Sequence, residues 1–200
     1  MSTYLARIVP IVVAAFLGSG VWTNAQEVTR KLFESGQYQA VVEQTQNDAP
    51  PDAQYVKGLA HLKLNQTDQA KAAFRGLEGA GDAWRSVGQS AVALIDGNRD
   101  AALEAARAAA ARDAGLAPAH YQLGLVLDAR GENPAAADAF ARAAAANPQM
   151  AYAHYNAGMS FYKAKRVDRM AVYFENFLKL APNAPERPAV ESIMRTLRGK

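Results

Sequence analysis

The 200-residue chain has no cysteine, few aromatics (8%) and little charge of either sign (20%). The missing thiol excludes a zinc ribbon, a disulfide-stapled scaffold, a cysteine nucleophile and a cysteine-anchored lipoprotein. Lys and Arg total 22 against 19 Asp and Glu, too even a balance to call for a nucleic-acid partner. Half of the residues are hydrophobic, which argues against disorder. Alanine supplies much of that half, at 44 residues. It is the best helix former and lets helix backbones approach closely, so an all-helical protein with tight helix contacts is expected. The length suits one domain or one array of repeats.

Residues 1–25 contain Arg7 and no acidic residue, and an apolar run follows from Ile8 to Gly20. Thr23 and Ala25 then supply small residues at the −3 and −1 positions of a signal-peptidase site. The run is shorter than the roughly 20 residues of a spanning helix and contains Pro10, Gly18 and Gly20. Export is expected, with cleavage after Ala25, no stable membrane span afterwards, and a bacterial periplasm as destination. An uncleaved N-terminal anchor is the alternative.

The chain also repeats itself. The segment Ala117-Pro118-Ala119-His120-Tyr121-Gln122-Leu123-Gly124 aligns without gaps to Ala151-Tyr152-Ala153-His154-Tyr155-Asn156-Ala157-Gly158. Gly124 to Gly158, Phe140 to Phe174 and Pro148 to Pro182 are each 34 residues apart. An earlier copy carries Tyr55, Gly58, Ala70 and Phe74, and another carries Trp84, Gly88, Gly97 and Ala102 with a short insertion. A degenerate first copy holds Leu32, Gly36, Tyr38 and Ala40. A 34-residue period with glycine at position 8, a small residue at 20, an aromatic at 24 and proline at 32 resembles the tetratricopeptide repeat.

The resemblance implies an all-α, right-handed α-α superhelix of about five repeats over residues 26–182. Ala70, Ala102 and Ala136 are expected to face the repeat glycines. Met170 replaces the fourth alanine, so the last pair is expected to splay. Phe74, Phe140 and Phe174 are expected to fill the gaps between repeats, with Gly97 and Gly131 forming turns and Gly76 to Gly81 a linker. Residues 183–200 read as a C-terminal capping helix. It starts at Pro185-Glu186-Arg187-Pro188, has an apolar face of Val190, Ile193, Met194 and Leu197, and pairs Glu191 with Arg195 outside.

No Walker loop, H-E-x-x-H or G-x-S-x-G motif occurs, so no catalytic, metal or cofactor residues are assigned and the chain does not read as an enzyme. His120 and His154 share repeat position 4 and read as packing residues. In the resembled family the concave groove is lined from the first helix of each pair. Mapped here, those positions give Tyr55, Leu59, Lys63, Arg85, Gln89, Tyr121, Gln122 and Leu125. The last copy adds Tyr152, Tyr155, Asn156, Met159, Tyr162 and Lys163. Tyrosine and methionine suit recognition of a protein surface. Packing between first helices is the competing role for Tyr55, Tyr121 and Tyr155. The Lys-Asn-Asn-Lys-Arg clamp for a peptide carboxylate is missing. The basic stretch Lys163, Lys165, Arg166 and Arg169 reads as a solvated turn, with an acidic partner or anionic lipid as the alternative. The resemblance implies a non-catalytic scaffold or adaptor that holds a partner peptide or helix, with cell-envelope partners by analogy. A self-assembling structural subunit of an envelope or secretion complex is the alternative.

Overall fold

The computed structural model describes residues 21–198, with side chains from 26 to 197. Residues 1–20, which hold most of the expected export signal, lie outside the described residues. Among the described residues the secondary structure is helical throughout. Five hairpins follow one another: α1 (Val21–Glu34) with α2 (Tyr38–Gln44), α3 (Pro51–Lys63) with α4 (Thr67–Arg75), α5 (Asp82–Ile95) with α6 (Arg99–Arg112), α7 (Ala117–Ala129) with α8 (Asn133–Ala146), and α9 (Ala151–Lys163) with α10 (Val167–Leu180). The last helix, α11 (Arg187–Arg198), packs on α10. The result is an α-α superhelical solenoid. No described helix is long and apolar enough to cross a membrane.

One turn recurs in all five hairpins. Gly36, Asn65, Gly97, Gly131 and Lys165 each have φ between 59° and 79°. The next residue returns its N–H to a carbonyl five positions back: Gln37 to Leu32, Gln66 to His61, Asn98 to Ala93, Glu132 to Leu127 and Arg166 to Phe161, at 2.8–2.9 Å. This hydrogen bond ends a helix with a left-handed residue, usually glycine. Asn65 and Lys165 hold that conformation despite their side chains. The turn also places the degenerate first copy among the repeats, although its second helix has only seven residues.

The joints between later repeats are equally regular. Asp113 Oδ1 accepts from Gly115 N at 2.9 Å, and Asn147 Oδ1 accepts from Gln149 N at 3.1 Å, 34 residues further on. Asn147, before Pro148, is extended and ends α8. The segment Gly76–Gly79, expected as linker, forms a 3₁₀ turn that buries Leu77 completely.

The helix crossings show what lies closest to the repeat glycines. A Cβ on Gly124 would lie 2.6 Å from the Phe140 ring, and one on Gly58 or Gly158 would collide with Phe74 or Phe174. The atoms nearest each of these glycines are thus the phenylalanine ring of their own hairpin, and Ala70 and Ala136 are fully buried as well. Such a buried ring contributes about 3 kcal/mol through burial. The last hairpin does not splay. Met170 is fully buried and the Gly158–Phe174 approach is as close as the others, because an unbranched thioether fits an irregular gap.

In α11, Val190 and Met194 are buried, as a capping face requires. Glu191 pairs with Arg187 at 2.8 Å, not with Arg195. Arg187 is already fixed by donating to the Leu178 carbonyl at 3.0 Å, so it presents a pre-positioned partner.

Candidate interaction face

First helices α3, α5, α7 and α9 carry the candidate residues, and several of these turn inward and meet one another. Tyr55 of α3 is buried and donates to Gln122 Oε1 of α7 at 2.9 Å. Gln122 donates in turn to Ser90 Oγ of α5 at 3.3 Å, and Ser90 donates to the Ala102 carbonyl. Asn156 Nδ2 donates to the Tyr121 hydroxyl at 2.8 Å, joining α9 to α7. Burial pushes the hydroxyls of Tyr55 and Tyr121 well above the usual tyrosine range, so both stay protonated. Satisfied buried polar networks of this kind fix one geometry. For Tyr55, Tyr121 and Gln122 the outcome is packing and bracing between first helices, since none of the three presents surface to a partner. The signal was the recurrence of tyrosine at position 5, which fits either role.

Tyr152 is buried too, for a reason absent from the repeat pattern. Its ring packs 5.1 Å from Phe33 of α1 and 6.1 Å from Phe177 of α10, and its hydroxyl donates to Glu186 Oε2 at 2.7 Å. The Tyr38 hydroxyl lies 3.4 Å from the Tyr152 hydroxyl. The Lys63 ammonium lies 5.8 Å and 5.5 Å from the Tyr38 and Tyr152 ring centres and pairs with Glu186 at 3.2 Å. Burial, with the Tyr38 and Glu186 hydrogen bonds, raises the Tyr152 hydroxyl far above its ordinary value. The first hairpin thus reaches across the concave side to the last one, and the two ends of the solenoid close on each other.

Two clefts flank this seam. One of about 590 Å³ lies between α1, α3 and the α8–α9 joint, bordered by Arg30, Asp52, Pro118 and Gln149. The other, about 550 Å³, lies between α1 and the α10–α11 connection, bordered by Val28, Leu32, Lys179 and Pro182.

The remaining candidates divide. Arg85 and Gln89 are exposed on α5, and Arg85 pairs with Asp82 at 2.6 Å. They are not brought to the aromatic cluster. Tyr155, Met159 and Tyr162 follow i, i+4, i+7 spacing on α9, and Tyr162 is the most open of the three. Tyr155 packs against Tyr152 and Phe177, Met159 is half-buried, and Tyr162 is 44% exposed. Lys163 pairs with Asp128 of α7 at 2.6 Å. In the basic stretch, Arg169 lies over the Phe161 ring at 5.5 Å and 3.7 Å from Asp138.

His120 and His154 act as repeated braces. Their Nε2 atoms lie 2.9 Å and 3.0 Å from the carbonyls of Ala114 and Pro148, each six residues earlier in the preceding joint. The carbonyl requires an Nε2–H donor. Both Nδ1 atoms are buried without a hydrogen-bond partner. Burial holds the His154 pKa below its usual value. Among the described residues no three His, Asp or Glu side chains are grouped to hold a metal.

Sequence reading missed Phe33 and Glu34, and took Tyr38 and Glu186 only as a repeat residue and part of a helix start. No local motif marks the meeting of these residues, because it joins separate repeats.

Comparison with known proteins agrees with this architecture. Sequence models of the tetratricopeptide repeat match residues 51–77 and 152–184. No curated protein matches the chain. Among solved structures, the chain is similar to TTC0263, a thermophilic TPR protein of Thermus thermophilus. That match has a TM-score of 0.60 and 20% identity, over 87% of this chain and 99% of that one. It is also similar to YrrB, described as a TPR protein with an unusual peptide-binding site. Here the TM-score is 0.52 and the identity 18%, over 88% of this chain and 92% of that one. The 34-residue period, the glycine–phenylalanine crossings and these matches coincide: the chain carries tetratricopeptide repeats within an α-α superhelical solenoid.

Proposed function

We propose that the protein is a non-catalytic scaffold that holds a peptide or helix of a partner protein. The observation that carries this is the Tyr155–Met159–Tyr162 stripe on α9. It is rich in adaptable apolar surface and is left partly open where the other first-helix tyrosines are consumed by packing. Leu59 and Leu125, at the repeat position of Met159, are half-buried and extend the same apolar character onto α3 and α7. YrrB, with its peptide-binding site, supports the reading by fold alone.

A photoreactive residue at position 162 should yield a discrete adduct with one partner, and the yield should fall several-fold when Met159→Ala is added. The same probe at Val172, 57% exposed on α10, serves as control. Equal adduct yields from both positions would refute the stripe as the binding face.

We also propose export, with cleavage after Ala25 and a cell-envelope setting for the partner. The cut would fall within α1 but before Gln26, whose amide donates to Asp52 at 3.1 Å, and before Arg30, Phe33 and Glu34. The contacts these residues make would survive it. N-terminal sequencing of the mature protein is expected to begin at Gln26; a product that retains Met1 removes the cleaved-signal proposal.

A further inference from the structure

Arg30, Phe33 and Glu34 lie on one face of α1, and all three meet the start of α9. Arg30 Nη1 donates to the Gln149 carbonyl at 3.1 Å. Glu34 Oε1 accepts from the Ala151 N–H, the first residue of α9, at 3.3 Å. Phe33 packs edge-on against Tyr152. Arg30 and Glu34 also pair with each other at 2.8 Å. Beside them, a Cβ on Gly36 would lie 2.7 Å from Pro185 Cγ, so the turn after α1 is seated against the α10–α11 connection.

This is how a helical ligand docks. A carboxylate meets the free N–H groups and positive end of a helix, an aromatic fills a hydrophobic site, and the anchors come at i, i+3 and i+4. The occupant happens to belong to the same chain. We infer that the start of α9, with Gln149, Tyr152 and the Pro185–Glu186 corner, is a docking site for an amphipathic helix carrying Arg-x-x-aromatic-Glu, and that α1 occupies it in cis until a partner helix of the same pattern displaces it. The inference rests on the proposal that the array binds a partner helix.

Two observations favour exchange. The two clefts flank α1, so it is not packed on all sides. Glu34 is buried, and burial pushes its carboxyl pKa up against the opposing pull of Arg30, so the contact carries a desolvation cost. A separate partner fits better than a second copy. A second copy presents an identical helix and gains no contact, while forfeiting the high effective concentration of the tethered one. A partner with stronger versions of these side chains can overcome that advantage.

The test uses the full chain and a fluorescent peptide of residues 26–44. Arg30→Ala leaves Glu34 buried without its cation and weakens the resident helix. The peptide should bind this variant at least roughly tenfold tighter than the parent chain. A peptide carrying Phe33→Ala and Glu34→Ala should not bind. Should Arg30→Ala lose helicity beyond α1, Glu34→Gln, which keeps the side-chain shape, is judged by the same criterion. Equal peptide affinity for parent and variant overturns the inference, as does no binding to either variant. Dimerisation of the variant in light scattering also overturns it, by making a second copy the occupant. Crosslinking from position 162 reports on partner binding separately, so failure of the peptide test removes this site alone.

Discussion

Gly88→Ala is expected to destabilise the protein by about 3 kcal/mol, read as a lowered urea midpoint with unchanged slope. A Cβ at position 88 would collide with the Phe74 carbonyl oxygen and come within 3.4 Å of Leu77 Cβ. The carbonyl belongs to the backbone at the end of α4, so relief requires moving one hairpin against the next. Gly158→Ala provides the contrast. There the atoms nearest the new Cβ belong to the Phe174 ring, a side chain that can be trimmed. Phe174→Leu should therefore restore part of the stability lost by Gly158→Ala, whereas no side-chain substitution should rescue Gly88→Ala. If Gly88→Ala is as stable as the parent, α4 and α5 do not approach as closely as described.

Phe140→Ala is expected to cost about 4 kcal/mol and to broaden the unfolding transition. The ring is 1% exposed, packs 5.4 Å from Tyr121 and lies against Gly124, whose lack of a side chain leaves nothing to fill the void. Position matters as much as size. In an array each repeat draws its stability from its neighbours, so weakening an internal one uncouples the parts on either side. Here the broadening should be limited, because the α1–α9 seam and the Tyr55–Gln122 bond tie non-adjacent repeats together. Calorimetry checks this through the ratio of van't Hoff to calorimetric enthalpy. A single sharp transition at the parental temperature would contradict both the burial and the coupling.

Much of the fold was legible because its determinants are local and periodic. Gly97 and Gly131 marked turns, and Asn147-Pro148 and Ala181-Pro182 marked helix ends. The same turn at Asn65 and Lys165 was hidden, since neither residue advertises a left-handed backbone. The candidate face was legible only in part. Tyr55, Tyr121, Tyr152 and Tyr155 stood out as an inward-facing set. Whether such a residue binds or packs depends on how tightly the superhelix curls. That curl follows from crossings such as Gly88 against the Phe74 carbonyl, where small differences of approach accumulate along the array.

The sequence by itself determined the period, the helix pairs and the positions of the repeat glycines. Each of these depends on residues within one repeat or its neighbour. Only the tertiary structure decided that the first hairpin closes against the last. Phe33, Glu34 and Tyr38 meet Tyr152 and Ala151 across more than a hundred residues of chain. No periodicity reports such a meeting, because it is set by the summed rotation of every repeat between them.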